Sequence, residues 1–139
     1  MDFDECLKQG LIKRNKDALQ RIRKEVEIAG KFFNSSKRNF GIEEYEMTVI
    51  ASYNSIFHCC RALLFNKGFV ERSHLCLLIS VQALYHEDKR ILDFLKSINK
   101  VRISRHQVQY RGDMAGSEEA EFVLDLNKRF LNYIRVKLK

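Results

Sequence analysis

Apolar residues recur along the chain at helical spacing, and the stripes divide it into amphipathic segments. From Met1 to about Arg14, Phe3, Cys6, Leu7, Leu11 and Ile12 fall on one side, which predicts a short helix. Asp2 and Asp4 stand near its start, where the helix dipole favours negative charge. From Lys16 to Asn39 the residues Ala18, Leu19, Ile22, Val26, Ala29, Phe32 and Phe33 repeat every three or four positions, opposite Lys16, Arg21, Arg23, Lys24, Glu27 and Lys31. That is a helix with one apolar stripe. Asn34-Ser35-Ser36 weakens its end, and Asn39 to Gly41 reads as a turn. From Glu43 to Lys67 the pattern changes. Tyr45, Val49, Ile50, Tyr53, Ile56, Phe57, Cys60, Leu63 and Leu64 cover much of the circumference, so this helix must be packed on several sides. Gly68 follows as a helix stop.

In the second half, Ser73 is placed to cap a helix carrying Leu75, Leu78, Ile79, Gln82 and Ala83. The aliphatic run Leu75 to Val81 also suits a strand, but it has no evident partner strand and helix is preferred. His86-Glu87-Asp88 opens a further helix with Ile91, Leu92, Leu95, Ile98 and Val101 inward. Arg111 to Gly116 reads as a loop. Ser117 then caps a last helix with Ala120, Val123, Leu124, Phe130, Leu131 and Ile134 as its core face. Glu118 and Glu119 in its first turn, and Arg135, Lys137 and Lys139 at its tail, suit the dipole at each end. The whole predicts an all-α, antiparallel helical bundle in a single domain over residues 1–139, with 1–14 as a short N-terminal helix or extension.

Composition agrees with this picture and adds charge to it. The 139 residues are 45% hydrophobic and 31% charged, with no proline to interrupt a helix. A chain of this length buries about two-thirds of its unfolded surface and needs no covalent staple. The net charge of +7 is spread through the chain and favours anionic partners, nucleic acid or nucleotides first among them. Cys6, Cys59, Cys60 and Cys76 form no CxxC pair. They read as free, buried thiols, which fits a cytoplasmic protein. No apolar run is long enough to span a bilayer, so no membrane partner is expected.

Candidate chemistry concentrates in residues 101–113, VRISRHQVQYRGD. On a helix, Arg102, Arg105, His106 and Gln109 share a face, with Tyr110 at its edge and Arg111 following. Arginine presents a planar fork suited to phosphate oxygens. Histidine exchanges a proton near neutral pH, and tyrosine stacks on a base or donates its hydroxyl. Elsewhere, His58, Cys59 and Cys60 are consecutive and point about 100° apart on a helix, and His74 and Cys76 are badly spaced for a closed zinc site. Neither a metal nor a cofactor is expected. Gly112 and Gly116 do not make a phosphate-binding loop.

The stretch ASYNSIFHCCRALLFNKGFVERSHLCLL resembles the central helix pair of HEPN domains (higher eukaryotes and prokaryotes nucleotide-binding). Tyr53, Phe57, His58, Arg61, Ala62, Leu63, Leu64, Lys67, Gly68, Ser73 and His74 follow that family's order. Arg105 and Tyr110 resemble its Arg-x4-Tyr signature before the last helix, and the likeness runs from about Ala18 to Leu138. The resemblance implies an up-and-down bundle of about five helices that dimerises, paired with a small nucleotidyltransferase, in some cases as toxin and antitoxin. It also implies a ligand groove with a place for Tyr53, His58 and Arg61. Many members are metal-independent RNases with an Arg-x4-6-His motif, whose His activates a ribose 2′-hydroxyl and whose Arg stabilises charge on the phosphate. Here Tyr110 stands at the histidine's place, and His106 comes one residue early when counted from Arg102. Tyrosine, with a pKa of about 10, is a poor base at neutral pH.

The expected function is therefore a dimeric nucleotide- or RNA-associated module that works with a nucleotidyltransferase. Arg102, Arg105, Arg111 and Tyr110 would contact nucleotide or phosphate. The alternatives are a metal-independent endoribonuclease using Arg105, Tyr110 and His106, and a structural helical protein without a ligand site.

Overall fold

A computed structural model describes residues 1–139 and contains six helices and one small sheet. The helices are α1 (Phe3–Lys8), α2 (Ile22–Gly41), α3 (Tyr45–Asn66), α4 (His74–Leu84), α5 (Lys89–Arg111) and α6 (Ser117–Lys137). Strands β1 (Ile12–Arg14) and β2 (Phe69–Glu71) pair antiparallel, with Ile12 opposite Glu71 and Arg14 opposite Phe69. The all-α helical bundle read from the sequence is the fold observed.

α3 is the central element, as its apolar circumference requires. It packs against α2, α4, α5 and α6 and buries Val49, Tyr53, Ile56, Cys59, Cys60, Leu63, Leu64 and Phe65, among others. Gly68, at φ 82, turns the chain out of it into β2. Ser73 caps α4 through its hydroxyl, which accepts from Cys76 N at 3.2 Å, so the aliphatic run is helical and not a strand.

Several local expectations are corrected, among them the turn read at Asn39 to Gly41, which lies within α2. The first helix is shorter than residues 1–14: Gly10, at φ 70, ends it, and Leu11 and Ile12 run into β1. β1's partner is more than fifty residues away, so local periodicity alone could not show it. In α2 the buried residues are Glu25, Ala29, Gly30 and Ser36, while Leu19, in the turn before it, is 59% exposed. Small residues let α2 lie close on α3, and polar bonds cross the contact: Ser55 Oγ donates to Ala29 O at 2.7 Å, and Ser36 Oγ bonds Ser52 Oγ and Thr48 O. Ser117 is the first residue of α6, and Gly116 caps it without a side-chain bond. In that helix Leu126 is buried and Leu124 only partly.

The cysteine reading is corrected too. Cys6 and Cys76 form a disulfide, their Cα atoms 5.8 Å apart, because the β1–β2 pairing carries α1 back onto α4. Cys59 and Cys60 are free and buried, and burial raises both thiols well above their ordinary pKa.

Asp88 joins α5 to α6. Its carboxylate caps α5 at Ile91 N (3.1 Å) and accepts from Tyr133 Oη at 2.7 Å and Lys137 Nζ at 2.8 Å. Burial opposes its ionisation, but the bonds from Lys137, Tyr133 and Ile91 prevail and bring it down to about 2. A folded pKa below the unfolded one means that its stabilisation is full above about pH 4. It is lost as the pH falls towards 2. Asp88→Ala is expected to lose the cap and both side-chain bonds, about 2 kcal/mol in urea unfolding at pH 7. Its melting temperature should also fall less than that of the parent between pH 5 and pH 2.

Candidate functional site

α5 brings Arg102 and Arg105 to the surface beside α3 and the start of α4. Val101 and Val108 of the same helix are buried in the core, which fixes the rotation of α5 and leaves both arginines half-buried at the edge of the bundle. The Arg105 guanidinium lies over the ring of Tyr53, 4.5 Å from its centroid, and 5.6 Å from that of Tyr110. Arg105 Nη1 donates to Gln109 Oε1 at 3.1 Å and, more weakly, to Tyr110 Oη at 3.5 Å. Its Nε is buried without a partner. Arg102 donates only to Asn99 Oδ1, from two nitrogens at 3.3 Å. Neither arginine meets a carboxylate.

Tyr53 is 2% exposed and forms the floor of this cluster. Its hydroxyl bonds His74 Nδ1 at 2.9 Å, with the two ring planes nearly parallel. His74 is the exposed first residue of α4 and stacks on Phe57 at 4.2 Å. Burial raises the pKa of the Tyr53 phenol, and the Arg105 charge partly offsets this. His74 is lowered by partial burial first, then by the charges of Arg105, Arg102 and Arg61.

Arg61 and His58 belong to a different arrangement. Glu25, 4% exposed, accepts from His58 Nδ1 at 2.5 Å and from Arg61 Nη1 at 3.1 Å. Arg61 Nε also donates to Glu71 at 3.2 Å. The charge of Arg61 is thus matched by two carboxylates that tie α2, α3 and β2 together.

Of the residues singled out from the sequence, Arg102, Arg105, Tyr110 and Tyr53 are brought together. His58 and Arg61 sit next to this cluster through Phe57, whose ring meets His58 edge-on at 5.5 Å and lies 5.8 Å below the Arg61 guanidinium. His106 is exposed, with its ring 5.1 Å from that of Tyr110. Arg111 is exposed and makes no ion pair. Sequence reasoning did not assign His74 or Glu25 to the site. His74 was read only as a poor zinc ligand and as part of the family order, and its partner Tyr53 lies 21 residues away; Glu25 lies 33 residues from His58.

The cluster is an open surface. Two concavities lie elsewhere, about 720 Å³ beside Asp88 and Lys137 and about 730 Å³ between α4 and α5 around Leu78 and Leu92. No group of three His, Cys, Asp or Glu side chains is arranged to hold a metal ion, and no helix is long and apolar enough to cross a membrane.

Compared with known proteins, residues 22–137 match the model of the HEPN domain. Neither a curated protein nor a solved structure shows a significant match.

Proposed function

The chain belongs to the HEPN domain family, and on that premise we propose that it binds the phosphate groups of a nucleotide or RNA through the Arg105 cluster. The observation that carries this reading is the contrast between two arginines. Arg61 is matched by Glu25 and Glu71, whereas Arg105 has aromatic rings and an amide around it and no carboxylate. A guanidinium held in place and left uncompensated is ready for an oxyanion. Arg102 and Arg111 add charge nearby, and Tyr110, 63% exposed, offers a ring face and a hydroxyl.

The rest of the reading follows the family. The chain is one HEPN-like domain over residues 1–139, of the Arg-x4-Tyr variety, with 1–14 as an extension. It works as a homodimer with a small nucleotidyltransferase, in a toxin–antitoxin-like pair in the cytoplasm. The Cys6–Cys76 disulfide weighs against a constantly reducing compartment. Counting free thiols in protein alkylated at lysis decides that point.

The test is direct. A fluorescent single-stranded oligoribonucleotide should bind with an affinity that falls as salt rises. Neutralising three phosphates, one for each of Arg102, Arg105 and Arg111, gives a log–log slope of about −2. A slope near zero, or no binding at 50 mM salt, removes the reading. Sedimentation equilibrium, alone and with a small nucleotidyltransferase encoded beside it, checks the dimer and the pair.

A further inference from the structure

α1 stands apart from the matched residues 22–137. It rests on α4 and β1, and of its six residues only Cys6 is buried. A helix this short does not hold in water by itself. Three contacts fasten it. Phe3 meets Phe69 of β2 edge-on, with ring centroids 5.6 Å apart. β1, which follows α1, pairs with β2. The disulfide joins Cys6 to the first turn of α4 at Cys76. That turn also serves the candidate site. Ser73 caps it at Cys76 N, and His74 bonds the hydroxyl of Tyr53, the ring on whose face Arg105 lies. One turn of helix thus carries both the sulfur that anchors α1 and the imidazole that anchors Tyr53.

We propose that Cys6–Cys76 is a reversible disulfide, opened by a dithiol reductant, that clasps α1 to α4 and thereby sets the affinity of the Arg105 cluster for its anion. This rests on the reading that Arg105 holds a phosphate. Closed, the bond pins Cys76, and the turn before it keeps His74 on Tyr53. Open, α1 loses its covalent hold and the first turn of α4 gains freedom, so the ring beneath Arg105 loses its support. The order lost on opening has to be restored when the anion binds, which weakens binding.

The chemistry is thiol–disulfide exchange. One thiolate of the reductant bonds to a sulfur of the pair, and the Cys6–Cys76 bond breaks to leave a mixed disulfide. The reductant's second thiol then displaces it. Two electrons and two protons pass to Cys6 and Cys76, and the reductant leaves as its own disulfide. Cys6 and Cys76 are covered, with exposed Met1 lying against Cys76, its Sδ 3.6 Å from Sγ. A dithiol reaches the bond when α1 lifts, a local opening that leaves the bundle intact. Cys59 and Cys60 stay out of the exchange, because they are buried in α3 and burial keeps both as thiols. The clasp therefore closes again on the same pair.

The experiment compares the full chain oxidised, reduced with dithiothreitol, and re-oxidised. Thiol counting should give two free thiols before reduction and four after. On reduction the amides of Cys6 and Gln9, bonded to Asp2 O and Glu5 O, should exchange about tenfold faster or more, with α3 and α6 unchanged. The His74 ring signals, assigned in NMR spectra against His74→Gln, should shift. Kd for the oligoribonucleotide should rise about fivefold or more, and re-oxidation should restore it. Cys6→Ser, which cannot close the bond, should match the reduced parent with or without dithiothreitol. Cycling the parent keeps the test independent of that variant, and circular dichroism follows the bundle. If α1 stays protected once four thiols are counted, the proposal is overturned. Release of α1 with Kd and the His74 signals unchanged overturns it too. If the oxidised protein binds no RNA, the phosphate reading falls. Release of α1 together with a shift of the His74 signals then still upholds the clasp, and the absence of either overturns it.

Discussion

Glu25→Ala is expected to destabilise the protein by about 3 kcal/mol, because it breaks a buried ion pair by removing one partner. Glu25 holds His58 and Arg61 at once, from a position 4% exposed. Without it, His58 Nδ1 loses its acceptor, and Arg61 keeps only Glu71. The same truncation opens a gap in the α2–α3 contact, where the small residues Ala29 and Ser36 allow close approach. Glu25→Gln keeps the volume and an acceptor for His58 but removes the charge that Arg61 needs, so it should cost less, about 1–2 kcal/mol. Urea unfolding at pH 7 measures both. A loss below 1 kcal/mol for Glu25→Ala would mean that solvent reaches the cluster and that it is not a structural tie. Because Glu25 touches α2, α3 and, through Arg61, β2, the loss should appear as a lower midpoint with an unchanged denaturant slope.

That cluster also shows where sequence reading stops. α3 was legible because a helix apolar around most of its circumference has only one place in a small bundle. The caps at Ser73 and the stop at Gly68 were legible because they are local. The buried face of α2 was not: its apolar residues Ile22, Val26 and Phe33 are only partly covered, while Glu25 and the small residues take the centre. A stripe counts hydrophobicity, but a close helix crossing selects size, and a paired carboxylate can be buried where periodicity expects an aliphatic residue. β1–β2 and the Cys6–Cys76 bond depend on partners more than fifty residues apart and leave no local trace. In the candidate site the same division holds. Arg102, Arg105 and Tyr110 lie on one helix and were found by spacing. Tyr53 entered through family resemblance. The Tyr53–His74 bond, between two helices, required the fold.

Arg105→Ala should weaken binding of a single-stranded oligoribonucleotide by about 10–100-fold at low salt, the equivalent of the 1.5–3 kcal/mol that hydrogen bonds to a charged group contribute. It should hardly change stability. The side chain gives up a cation–π contact of about 0.5–1 kcal/mol with Tyr53, but it also removes a buried Nε that has no partner, and the two effects oppose each other. Arg61→Ala should behave the other way. It leaves Glu25 and Glu71 facing each other's charge across a partly closed site, so it should lower the unfolding midpoint clearly while altering RNA affinity less. Arg105→Lys distinguishes charge from shape: it keeps the cation but loses the planar fork and its stacking on Tyr53, and it should recover only part of the affinity. Fluorescence anisotropy against salt, run beside thermal unfolding, reads both quantities on the same samples. If Arg105→Ala binds as the parent does, the phosphate is held elsewhere on the +7 surface and the cluster loses its role. If instead it unfolds, Arg105 is part of the framework, and its lack of a carboxylate partner has no bearing on a ligand.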